Sequence, residues 1–100
     1  MTPVEFLQSW YLAQADREWE KVRGITIETL ETPGWMVTID LAGTALDGRV
    51  MAAVQNEYSA SDWLLCEVDQ NQFRGQGDSQ KLLDILEIFQ RWASGAAKLE

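Results

Sequence analysis

Histidine is absent from this 100-residue sequence. With it go the commonest general base at neutral pH and the commonest side-chain ligand for transition metals, so most hydrolytic and metal-dependent constellations lose their centre. A lone cysteine, Cys66, excludes an internal disulfide. Flanked by Leu64, Leu65, Glu67 and Val68, it reads as a buried strand residue rather than as an activated thiol, which needs an electropositive loop or helix end. No apolar run is long enough to cross a bilayer, and the N-terminus has neither a basic leader nor the apolar stretch of a signal peptide, so a cytoplasmic location is expected. Basic residues are also scarce, 8 Lys and Arg against 16 Asp and Glu, for a formal net charge of -8. A field of that sign disfavours nucleic acid and anionic membranes and favours a positively charged partner.

What is present is ordinary for a folded chain, with 46% hydrophobic and 24% charged residues. Residues 1–98 are expected to form one domain, and Leu99-Glu100 reads as a remnant of an expression vector. The charge is unevenly placed. Between Ile25 and Phe73 stand eight acids (Glu28, Glu31, Asp40, Asp47, Glu57, Asp62, Glu67, Asp69) against one base, Arg49. Asp47-Gly48 and Asp69-Gln70-Asn71 lack the alternating oxygen ligands and closing glutamate of a calcium loop, and Gly75-Gln76-Gly77 is too short for a phosphate-binding fingerprint. No metal, cofactor or catalytic residue is expected.

Thr2-Pro3-Val4-Glu5 carries the signature of a helix start, with Thr2 as N-cap and Glu5 completing a capping box. The helix is predicted to run to about Asp16 with Val4, Phe6, Leu7, Trp10 and Tyr11 on its core arc. Trp19 then marks either a turn of the chain or, with Leu12, an outward apolar spot. From Ile25 the period becomes two, and Thr32-Pro33-Gly34 turns a first strand into a second at residues 35–41. Asp47-Gly48 leads to a third strand at residues 50–58, Ser59-Ala60-Ser61-Asp62 to a fourth at 63–68, and Phe73 to a short fifth. Gly75-Gln76-Gly77-Asp78 is expected to break the sheet. Asp78 or Ser79 then caps a last helix ending near Gly95, with Leu82, Ile85, Leu86, Phe89 and Trp92 inward and a Glu87–Arg91 ion pair facing solvent. The predicted fold is α+β: an antiparallel four- to five-stranded β-meander flanked by an N-terminal and a C-terminal helix.

Five tryptophans are a heavy load for such a chain. Trp10, Trp35 and Trp92 fall on core arcs or on the Val37, Ile39 face of the second strand. Strand alternation assigns Thr26, Glu28, Met36, Asp40, Met51, Gln55, Trp63 and Glu67 to the other sheet face. Two readings of that face stand: apolar anchors ringed by carboxylates, as at protein interfaces, or a surface covered by a helix.

The run Trp10-Tyr11-x-x-Gln14-x-Asp16-x-x-Trp19-Glu20 is followed by Gly24-Ile25-x-Ile27-x-Thr29-Leu30 and Pro33-Gly34-Trp35-x-Val37-x-Ile39-Asp40-Leu41-x-x-Thr44-x-Leu46. With Asp62-Trp63, Phe73-x-Gly75-x-Gly77 and the Leu83, Ile85, Leu86 region, it resembles the bacterial immunity protein 53 family over nearly the whole chain. The resemblance implies a non-enzymatic protein that binds and neutralises a cognate toxin inside the producing cell. The departures are Ala15, Arg17 and Lys21, where cysteine, glycine and histidine are frequent in the family. Many toxin domains have basic clefts, which an acidic partner fills by mimicking phosphate charge. On this reading the toxin-binding surface draws on Asp16, Trp19, Glu20, Glu28, Asp40, Trp63 and Glu67, in a monomer or weak homo-oligomer. The alternatives are a homo-oligomeric interaction domain that pairs through the mixed sheet face, and a small thiol-dependent enzyme using Cys66.

Overall fold

The computed structural model describes residues 1–14 and 24–98, the last three by backbone alone. Helix α1 spans Pro3–Gln14 and opens on the predicted capping box. The Glu5 amide donates to Thr2 Oγ1 at 3.1 Å and the Thr2 amide to Glu5 Oε1 at 2.9 Å, satisfying two donors that a helix start leaves unpaired. Five strands follow: β1 (Ile25–Thr29), β2 (Gly34–Asp40), β3 (Val54–Ser59), β4 (Asp62–Asp69) and β5 (Gln72–Asp78). Helix α2, Leu82–Lys98, closes the chain and runs through Gly95 rather than ending near it.

The strands form one antiparallel sheet in the order β1-β2-β5-β4-β3. Residues 41–53 carry the chain from β2 to the far edge, from which β3, β4 and β5 meander back until β5 pairs with β2. The crossing segment is pinned by its own polar groups. Asp47 accepts from the Gly43 amide and from Asn71 Nδ2, each at 2.9 Å, and Asn71 Oδ1 accepts from the Gly48 amide at 2.9 Å. Asn71 is free to reach back because it and Gln70 form a two-residue turn with φ of 61° and 53°, the left-handed pair that matches the twist of the strands it joins. Trp92 Nε1 donates to the Val50 carbonyl at 2.9 Å and holds residue 50 towards α2. The third strand therefore starts at Val54, four residues later than the sequence predicts.

The predicted break at Gly75-Gln76-Gly77 is instead the interior of a seven-residue strand at the middle of the sheet. These glycines serve the helix above them. A β-carbon on Gly75 would run into Ile85 Cγ2, and one on Gly77 would lie 2.6 Å from Lys81 Cβ, so α2 rests on the bare backbone of β5. Beneath it Val37, Ile39, Cys66, Phe73 and Ile85 are fully buried, with Leu41, Leu46, Leu64, Leu86, Phe89 and Ala93 completing the core. Helix α1 lies chiefly against α2: Phe6 and Trp10 meet Phe89 edge-on at 6.1 and 5.3 Å. A helix packed on a helix buries a narrower stripe than one packed on a sheet. Phe6, Leu7, Trp10 and Gln14 form that stripe, while Val4 and Tyr11, predicted for the core, are 51% and 43% exposed.

Asp78 does not cap α2. It ends β5 with its carboxylate buried, accepting from the Trp63 amide at 2.8 Å, the Gln80 amide at 2.9 Å and Lys81 Nζ at 2.7 Å. Lys81 also bridges to Asp62 at 2.8 Å, so one cluster ties the β3–β4 turn, the end of β5 and the start of α2. Hydrogen bonding from Lys81, then from the Gln80 amide, holds the Asp78 carboxyl at about 2 against an ordinary 3.8. A pKa depressed by folding contributes stability that is complete above the unfolded value and is lost as the pH falls through the folded one. Melting temperatures recorded from about pH 5 to pH 2 are expected to fall more steeply for the wild type than for Asp78→Asn, mostly below 3.8. Parallel slopes for the two proteins would show that this carboxylate does not govern acid unfolding.

Candidate macromolecular interface

Both described helices occupy one side of the sheet. The register fixes what the other side presents, because residues directly opposite on neighbouring strands share a face. One row runs Glu28, Met36, Gln76, Leu65, Gln55 across all five strands, and the next Thr26, Thr38, Arg74, Glu67. Asp40, Gln72 and Asp69 form a third row at one end, and Trp63 opposite Glu57 lies at the other. No described helix covers this face, so of the two readings left by the sequence the uncovered one holds among the described residues. Met36, Trp63 and Leu65 on it are half-buried.

Four of the sequence-predicted residues, Glu28, Asp40, Trp63 and Glu67, thus share one surface with Thr26, Met36 and Gln55. Asp16, Trp19 and Glu20 lie outside the described residues. Met51 is removed from the face: it precedes β3 and lines a groove beside α2 on the opposite side, together with Glu87 and Arg91. These two therefore flank a groove rather than forming the solvent-side pair expected of them. The residues that the sequence reading missed are Arg74, Gln76, Glu57 and Asp69. The parity of Phe73, once it is placed in a full-length strand, would have found the first two.

Among the described residues Arg74 is the one base on a face with the carboxylates of Glu28, Asp40, Glu57, Glu67 and Asp69. Its guanidinium reaches Asp69 Oδ2 at 3.4 Å and Gln72 Oε1 at 3.1 and 3.3 Å, long bonds that hold it low across the sheet. The Asp40 carboxylate accepts from the Ala42 amide at 3.3 Å and so is oriented at the end of its strand. Glu28 and Glu57 stand on the edge strands, Asp40 and Asp69 in the end row and Glu67 beside Arg74, while Met36 and Leu65 flank Gln76 of the central strand. Among the described residues no group of three or more His, Cys, Asp or Glu is arranged to hold a metal ion. Cys66 points to the core side, fully buried, and burial pushes its thiol up to about 12, so at neutral pH it carries no thiolate.

The fold is an α+β scaffold with both described helices on one side of its sheet and, among the described residues, no helix over the other. Residues 4–94 match the immunity protein 53 family, and the chain belongs to that family. Membership gives it an immunity role. Neither the curated proteins nor the solved structures provide a match. No helix among the described residues is long and apolar enough to cross a membrane.

Proposed function

We propose that this protein neutralises a cognate bacterial toxin by laying the uncovered face of its sheet over a basic surface of the toxin. The observation that carries the reading is the composition of that face, five carboxylates around the half-buried Met36, Trp63 and Leu65. Like-signed charge on one surface accelerates encounter with an oppositely charged partner, and Met36, Trp63 and Leu65 then lose water on contact. Arg74, lying among carboxylates, adds a fork of donors for a backbone carbonyl or an acid of the partner. In this proposal Asp16, Trp19 and Glu20 extend the interface from the segment before β1.

Inhibition is by occupancy in the cytoplasm of the producing cell, and no bond of the toxin is altered. Co-expression with the toxin domain encoded beside its gene is expected to yield a stoichiometric complex through affinity purification and to restore growth. A toxin that neither co-purifies nor loses activity in a molar excess of this protein would overturn the proposal. Cys66→Ser is expected to protect as well as the wild type, whereas the thiol-enzyme alternative requires it to fail.

A further inference from the structure

The β3 edge of the sheet is open: no strand pairs with its outer side among the described residues. Natural sheets close such edges with lysine, proline, a bulge or a covering element. The sequence of β3, VQNEYS, has neither lysine nor proline, and its one irregularity is a register shift between Glu57 and Ser59. Nor is the edge covered among the described residues: α2 packs chiefly on β5 and β4, and residues 55–59 are exposed. An open groove of about 620 Å³ remains between helix and edge, floored by Met51, Val54 and Leu64, and Tyr58 beside it is 75% exposed.

We propose that this edge pairs antiparallel with β3 of a second copy, about a two-fold axis perpendicular to the sheet at Asn56. A dyad of that kind keeps each face on its own side, so only residues of equal parity can stand opposite one another. Centring on Glu57 would set that carboxylate against its own copy, and centring on Gln55 would leave half of the strand unpaired. Centring on Asn56 engages residues 54–58, with the register shift between Glu57 and Ser59 falling at the end of the paired segment. On the helix side Tyr58 meets Val54 of the partner twice over, an aromatic against a β-branched residue, and on the acidic side Gln55 meets Glu57 without repulsion.

The helices agree with this register. The Lys81–Asp62 bridge fixes the start of α2 near the end of β3, and the Trp92–Val50 bond fixes its later turns near the beginning. The dyad therefore sets the Asp84 end of one α2 across the merged groove from the Arg91 end of the other, acid facing base. The dimer leaves both acidic faces on the same side, and it stands or falls independently of what they bind.

Sedimentation equilibrium over the micromolar to millimolar range is expected to show a monomer–dimer equilibrium, with Tyr58→Lys raising the dissociation constant about tenfold or more. Because Tyr58 is exposed in the single chain, the variant's melting temperature is expected to match that of the wild type at concentrations where both are monomeric. The register has its own test. Residue 56 faces its own copy at a Cα separation of about 4.5–5.5 Å, within disulfide reach, so Asn56→Cys is expected to give a covalent dimer on mild oxidation while buried Cys66 stays silent. Glu57→Cys, displaced from the axis, is expected to cross-link far more slowly. A wild type that is monomeric throughout, a dimer insensitive to Tyr58→Lys but dissolved by Glu28→Lys, or equal cross-linking at residues 56 and 57 would each overturn the proposal.

Discussion

Gly75→Ala is expected to destabilise the protein by about 2–3 kcal/mol, the upper end of what overpacking a dense core costs. The added methyl enters the space of Ile85 Cγ2, between a central strand and a helix that are both fully buried there, and neither can withdraw without unseating the other. For a domain of this size that corresponds to a fall in Tm of about 10–20 °C. Ile85→Ala alone is expected to cost about 2–5 kcal/mol by opening a cavity. The double variant is then expected to be more stable than the sum of the two predicts, by about 1–2 kcal/mol, since the new methyl fills part of the vacated space. Strict additivity in chemical denaturation would mean that the two residues do not touch.

The second large effect is on binding. Reversing Glu28, Asp40 and Glu67 together to lysine replaces attraction with repulsion at three positions of the proposed interface. At about 1–2 kcal/mol for each, toxin affinity is expected to fall by about 10²–10⁴ at low salt. The loss is expected to shrink as ionic strength rises and the screening length drops below about 10 Å. Glu31→Lys, in the exposed β1–β2 turn, changes net charge without altering the open face and serves as the control. Calorimetric titration giving equal affinities for the triple variant and this control would eliminate the acidic face as the binding surface.

The parts of the fold that were legible in the sequence are those decided by neighbours along the chain. Thr2 and Glu5 satisfy each other across three residues, Thr32-Pro33-Gly34 reverses the chain on the spot, and the alternation of Val37 and Ile39 with Met36 and Thr38 assigns their faces directly. The parts that were not legible depend on partners far away in sequence. Gly75 and Gly77 read as sheet breakers until Ile85 and Lys81 are seen to occupy the space where their side chains would be. The late start of β3 depends on a bond from Trp92 to Val50, and the slotting of β5 beside β2 on the path of residues 41–53.

The candidate site divides along the same line. Alternation alone grouped Glu28, Asp40, Trp63 and Glu67, but whether a helix hid them could not be read from two helices that both carry apolar stripes. The answer lay in Phe6 and Trp10 packing on Phe89, which keeps α1 on the side of α2.

The pleat also separates two kinds of change. In β2, for instance, Val37 and Ile39 are fully buried in the core while Met36 and Thr38, one peptide unit away, belong to the opposite face. In the proposed complex, a toxin that drifts can be followed by exchanging side chains on the outer side of the sheet while those on the core side stay as they are.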